Sequence, residues 1–266
     1  MLVPSSARAQ ESPALTASQI LDRAIAAQGL PKDVDPAAEL PLALHALVNL
    51  QFTTDRGDLL SVDAERKFLA PKDGPALVWT RVVPTAKRDE ETILAFNGQR
   101  PWLWSKAAAG LGHGVRWLDE PGGEQDRKQL EDDLDTTALL TRSFLLRNLP
   151  TQWKEPRRLS DVSGFGVTAW VIEGKAEIER DGAKKSVLLR LYVEQTKAWL
   201  MGARVLVEGE PAQQICFTRH ETVDGVVVPG KIEIYVADEP KPRQTLYVRS
   251  LKLAPKLTPA DFQPPR

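Results

Sequence analysis

The chain has one cysteine, Cys216, so it closes no internal disulfide, and it carries no C-x-x-C pair to hold zinc or run thiol redox chemistry. The lone thiol reads as a small buried apolar side chain. Histidine is almost as scarce: His45, His113 and His220 lie far apart, with neither H-E-x-x-H nor H-x-H spacing. His220 and Cys216 on one strand face would stand about 13 Å apart, too far to share a metal. A net charge near zero, −1 over 266 residues with both signs interleaved, leaves no field to draw the chain onto nucleic acid or an anionic membrane. No run approaches the length of apolar sequence that a transmembrane helix needs. G-x-S-x-G is absent, and the glycines of "GLGHG" (110–114) do not join a strand to a helix as a phosphate loop requires. The acidic run Glu131, Asp132, Asp133 and Asp135 reads as the solvated face of a helix. Neither a catalytic residue, a metal ligand nor a cofactor site is assigned, and the expectation is that the protein is not an enzyme.

What is present begins near the N-terminus. "MLVPSSARAQES" contains the small-x-small box Ala7-Arg8-Ala9 that a signal peptidase reads, without the basic and apolar stretches that precede such a box. We expect residues 1–15 to be the remnant of a secretory signal or a disordered N-terminus, and 16–266 to be the folded domain. With no cysteine beside the box, a lipid-anchored form is not expected.

"TASQILDRAIAAQG" sets Thr16 and Gln19 at capping-box spacing, puts Ile20, Leu21, Ala24 and Ile25 on one face, and stops at Gly29, which predicts a helix. Residues 30–42 hold three prolines and form a connector. Period-two runs follow. "ALVNLQFTT" carries Ala46, Val48, Leu50 and Phe52 on one face, and "LLSVDAERKF" carries Leu60, Val62, Ala64 and Phe68. "ALVWTRVV", "ETILAF", the turn pair Asn97-Gly98 and "QRPWLW" continue the meander. Residues 124–149 change period: Leu130, Leu134, Ala138, Thr141, Phe144, Leu145 and Leu149 recur at three and four, predicting one or two helices closed by Pro150. Six strands then follow in series: "VTAWVIEGKAEIE", "SVLLRLYVE", "AWLMGARVLVEG", "QQICFTRHETV", "VVVPGKIEIYVAD" and "RQTLYVRSLKL".

One face of the later strands collects the apolar residues: Val187, Leu189, Leu191 and Val193, then Trp199, Met201, Val205 and Val207, then Ile232, Ile234 and Val236. A flat sheet of about eleven strands with one oily face is unstable in water, so it must curl around that face and be plugged by the helices. The expected fold is therefore mainly β (α+β): a single-domain, unclosed antiparallel half-barrel with an N-terminal helix and a mid-chain helical segment over its concave face. A curled sheet needs kinks, and Pro229-Gly230, at the start of a strand near the open edge, can supply one. Trp102, Trp104 and Trp117 bracket "AAAGLGHG", which reads either as an aromatic-rimmed flap over a cavity or as ordinary packing of an alternating sheet.

The helix phrase "DRAIAAQG", the meander split by a helical segment, "LYVEQTKAWLMGARVLVEG", "ETVDGVVVPGKIEIY" and the closing "KLAPKLTPADFQPP" together resemble the LolA/LolB-like superfamily of bacterial periplasmic lipoprotein carriers. The resemblance spans residues 16–264, and its most specific parts are the "VDGVVVP" hairpin and the terminal Leu257, Phe262 and Pro264. It implies a periplasmic, monomeric carrier whose half-barrel holds an acyl chain, a lipid or a lipid-modified protein, possible membrane-associated partner proteins included. The residues expected to line the cavity are Leu50, Phe52, Val62, Phe68, Trp79, Leu189, Leu191, Trp199, Met201, Val205, Ile232 and Ile234. The alternative is a non-catalytic structural or envelope-sensing module whose core is filled by its own side chains. No arginine here aligns with the family's ligand-contacting arginine, and "LGHGVRWL" matches no motif of the family.

Overall fold

The computed structural model describes residues 14–29, 42–53, 58–71, 74–109, 114–128, 130, 153–164, 167–180, 183–237, 239–253 and 255–265. Residues 1–13 of the proposed signal remnant, most of the proline-rich connector, the acidic run, His113 and, apart from 124–128 and 130, the mid-chain helical segment lie outside these residues.

Helix α1 (Ala17–Gln28) forms as its caps dictate. The Gln19 backbone N–H donates to Thr16 Oγ1 at 3.2 Å, and the Thr16 N–H donates back to Gln19 Oε1 at 2.9 Å. Gly29 ends the helix at φ +81°, where its lack of a Cβ also permits contact with the carbonyl of Gly225.

Among the described residues thirteen strands follow: β1 (Leu42–Thr53), β2 (Leu59–Ala70), β3 (Leu77–Pro84), β4 (Thr92–Phe96), β5 (Pro101–Ser105), β6 (Val115–Trp117), β7 (Lys154–Gly164), β8 (Val167–Arg180), β9 (Ala183–Glu194), β10 (Leu200–Val207), β11 (Gln213–Val223), β12 (Val226–Val236) and β13 (Gln244–Leu253). A four-residue helix, α2 (Lys106–Ala109), separates β5 from β6. All thirteen strands belong to one antiparallel sheet, in the order β6-β5-β4-β3-β2-β1-β13-β12-β11-β10-β9-β8-β7. The chain thus starts in the middle of the sheet and meanders out to β6. It then reappears at the opposite edge, β7, and meanders back until β13 pairs with β1. Among the described residues the two edges stay apart, and the sheet is an unclosed half-barrel.

Alternation alone gives about eleven strands, and the two it misses are these edges. β6 is only three residues long, and β7 carries Lys154, Glu155, Arg157, Arg158 and Asp161 with Pro156 among them. Short length, charge and proline are how sheets blunt an edge against further pairing, and they erase the apolar period at the same time.

Pro229 and Gly230 are not near an open edge. They lie inside β12, with Pro229 opposite His220 on β11. The strand tolerates them for a local reason: β12 pairs with β13 only over Lys231–Ile234, so its first half has no strand partner on that side. The β1–β13 ladder slips at the same level. Leu47 faces Ser250 and Val48 faces Val248, which leaves Arg249 as the extra residue of a bulge. Pro229-Gly230 therefore stands in the centre of the sheet, beside the bulge in β13, and not at an open edge.

Candidate functional site

Period-two geometry puts the even residues of β1 and β2 and the odd residues of β9 on one face, and these form a single buried cluster. Leu44, Ala46, Val48, Leu50, Ala64 and Phe68 join Val187, Leu189, Leu191 and Val193 across the intervening strands, through Leu246, Ile232, Phe217, Ile215 and Val205. Ile20, Leu21 and Ala24 of α1 belong to the same cluster, so the helix sits on this inner face, where it contacts β7, β8 and β12. Trp153 lies there too, its indole so close to Gly174 that a Cβ at 174 would fall 2.3 Å from Nε1. Toward the other edge the inner face of β3 and β4, Val78 and Leu94, is covered by Leu118 and Leu130. Leu130 is the described end of the predicted mid-chain helix.

Of the residues expected to line a cavity, Leu50, Phe68, Leu189, Leu191, Val205 and Ile232 are buried in the inner cluster, and Val62 and Ile234 pack half-buried against it. Phe52 is half-buried on the same face, opposite Leu60, which is 46% exposed. Three do not fit. Trp79 is on the outer face, because it alternates with the inner residues Val78 and Thr80 and packs with Ile93, Ala95 and Trp102. The β9–β10 register slips at Met201, which inverts the parity of β10: Leu200 faces in before the slip, and Ala203 and Val205 after it. Met201 is therefore the half-buried bulge residue outside the cluster. Trp199 precedes the strand and stacks against His220, ring centroids 5.1 Å apart.

The flap reading fails for Trp102. This side chain is fully buried on the outer face, and its Nε1–H donates to the Phe262 carbonyl at 3.0 Å. The C-terminal 3-10 turn Pro259–Phe262 closes over β3, Phe262 itself is fully buried, and Ala95 is fully buried between Trp79 and Trp102 in the register. Lys67 and Arg100 lie over the exposed flanks of Trp79 and Trp117.

Two polar residues on the inner face went unassigned in the sequence. Arg66 falls between Ala64 and Phe68 at an inward position of β2, and Thr80 falls between Val78 and Val82 on β3. They are directly opposite each other in the register, and only 6% and 1% exposed. The alternation that identified the oily face already placed both of them on it.

The outer face of β7–β9 carries an ionic ladder. Glu173, 1% exposed, accepts hydrogen bonds from Arg157 (2.6 and 3.0 Å) on one side and from Arg190 (2.6 and 3.0 Å) on the other. Burial opposes ionisation of this carboxyl, but the two guanidinium groups outweigh it and hold its pKa below the usual carboxylate value. His220, against the Leu200 carbonyl, has its pKa pushed down by burial, and burial raises that of Cys216. His45 pairs with Glu65 at 2.9 Å. Among the described residues, His, Cys, Asp and Glu nowhere gather in a group of three or more able to hold a metal. Nor is any described helix long and apolar enough to cross a membrane.

No protein-family model matches the sequence, and no curated protein matches it by sequence. Solved structures do match over nearly the whole length. A LolA superfamily protein from Nitrosomonas europaea superposes with a TM-score of 0.50 at 15% identity, covering 94% of this chain and 99% of that one. The fold is LolA-like. A DUF1329 family protein from Desulfovibrio piger matches comparably, with a TM-score of 0.51 at 13% identity over 93% of this chain and 97% of that one. At these identities the likeness concerns the frame.

Proposed function

We propose that the inner face of this half-barrel holds the acyl chain of a lipid or of a lipid-modified protein, and that the protein is a monomeric periplasmic carrier without catalytic activity. The observation behind this reading is the continuous apolar face, from Phe68 through Leu50 and Ile232 to Leu191, on a LolA-like frame. Each methylene moved from water onto such a face contributes about 0.8 kcal/mol, enough to hold a long chain with no further chemistry. Carrier partners would include membrane-associated proteins that deliver or take the cargo. Ala7-Arg8-Ala9 supports export, with a mature chain beginning near Gln10.

One observation favours the second reading, a structural or envelope-sensing module: α1 and Trp153 already fill part of the inner face. Mass spectrometry of protein purified without detergent from its native envelope separates the two. A carrier copurifies with lipid and takes up a fluorescent fatty acid after delipidation, whereas a module does neither. N-terminal sequencing of the same sample tests export, and intact Met1 recovered from the cytosol would refute it.

A further inference from the structure

Arg204 of β10 departs from the charge pairing of the outer face around it. Its neighbours Ala203 and Val205 belong to the inner cluster, so Arg204 points outward, half-buried, directly opposite Arg190 of β9. Like charges that face each other across a ladder repel. The neighbouring cations of this face are matched: Arg157 and Arg190 share Glu173, Lys175 pairs with Glu155 at 3.1 Å, and Lys231 pairs with Glu233 at 2.8 Å. Glu173 does not serve Arg204, because it stands on the far side of Arg190 in the register and its two oxygens accept from Arg157 and Arg190. On its other side Arg204 meets only the neutral Gln214 of β11. Among the described residues Arg204 has neither a counter-ion nor a hydrogen-bond partner.

The surroundings say what kind of anion fits. In the next outward row Leu188 and Leu206 face each other, both half-buried, and in the row on the opposite side stands Tyr192. Gln214 in turn faces Tyr235 of β12. Arginine, tyrosine and leucine at the centre, with closed ion pairs around them, is the composition of a protein–protein hot spot within its polar rim. The guanidinium fork matches a carboxylate. A membrane surface fits less well, since Glu155 and Glu233 at the rim repel anionic headgroups and Arg204 adds a single uncompensated cation. We propose that the outer face of β9–β11 docks a partner protein, which sets an aspartate or glutamate carboxylate on Arg204 and apolar side chains on Leu188 and Leu206. This surface is independent of what the inner face holds.

The test begins with photoreactive benzoylphenylalanine in place of Leu206, irradiated in intact cells of the source organism, and sequencing of the crosslinked segment by mass spectrometry. The expected adduct is one protein, joined through a segment that carries Asp or Glu among apolar residues. A synthetic peptide of that segment, titrated against the full chain by fluorescence polarisation, should bind Arg204→Ala about tenfold more weakly than the parent, and Arg204→Lys about as weakly, because lysine keeps the charge and loses the fork. Changing the peptide's carboxylate to its amide should weaken binding to the parent equally and leave binding to Arg204→Ala unchanged. Arg204→Ala should melt no lower than the parent, since it removes the repulsion by Arg190. A lower melting temperature would make Arg204 a structural residue and overturn the proposal. So would the absence of an adduct, an adduct only with a second copy of this chain, or peptide binding indifferent to Arg204→Ala. If no protein adduct forms and phosphatidylglycerol vesicles retain the parent but release Arg204→Ala, the face binds membrane and the protein partner is refuted.

Discussion

Gly230 faces Arg219 across the β11–β12 ladder, and Arg219 is held at φ +54°, a left-handed conformation rare for any residue with a side chain. A Cβ at 230 would fall 2.7 Å from the Arg219 carbonyl oxygen and 3.2 Å from Glu221 Oε1. In an ordinary strand a β-branched residue is favoured over glycine. Here valine must push a backbone carbonyl, so Gly230→Val is expected to cost about 1 to 3 kcal/mol in urea unfolding and to weaken lipid uptake. A variant as stable as its parent would mean that the glycine does not shape the sheet. Glu173 makes a prediction in pH. Its folded carboxyl titrates below its unfolded value of about 4.3, so its stabilisation is complete above that pH and is lost as pH falls through the folded value. Glu173→Gln should therefore cost about 2 kcal/mol at neutral pH, and the difference from the parent should shrink below about pH 4.3. Unfolding midpoints of both proteins at neutral and acidic pH measure it, and a difference independent of pH would assign the loss to packing.

At the scale of elements, legibility followed the strength of the local signal. The capping box of α1, the Asn97-Gly98 turn and the Asp224-Gly225 hairpin are each written in two or three residues, and each forms: Asn97 Oδ1 accepts from the Gln99 and Arg100 N–H groups, while Asp224 and Gly225 both take positive φ. The edge strands were not legible, because charge and proline suppress the alternation that reveals a strand. The bulge at Met201 was not legible either, since a single extra residue flips parity without changing composition, and it displaced Trp199 and Met201 from the face assigned to them. The C-terminal turn is a different case. The role of its residues needs the sheet: β3, β4 and β5 place Trp79, Ala95 and Trp102 in one row, the turn contacts β3, and the Trp102 Nε1–H reaches the Phe262 carbonyl. Phe262→Ala is expected to cost about 3 to 5 kcal/mol, as for other buried phenylalanines. Because the turn carries the carbonyl that accepts from Trp102, loosening it should also shift native tryptophan emission to the red. An unshifted spectrum with unchanged stability would mean that the tail does not hold the outer face.

At the scale of the whole molecule, β1 and β13 join the two ends of the chain at the centre of the sheet, and the inner face is shared out on either side of them. α1 covers the strands toward β7, and Leu118 and Leu130 cover those toward β6. Whether the wall between them is a cavity or a packed core is a property of no single strand, and Leu191 probes it. It is 3% exposed on β9, paired with Ile172 on one side and the small Ala203 on the other. Where the inner face opens to a chain, the larger ring of Leu191→Phe takes room from the ligand and leaves the protein's own contacts alone. Fluorescent fatty acid uptake should then fall, while the melting temperature moves by no more than about 2 °C. In a tightly packed core the same ring has nowhere to go, and overpacking costs about 1 to 3 kcal/mol. We expect the first outcome. A large loss of stability, in a protein whose parent takes up no probe, would establish the self-filled module instead.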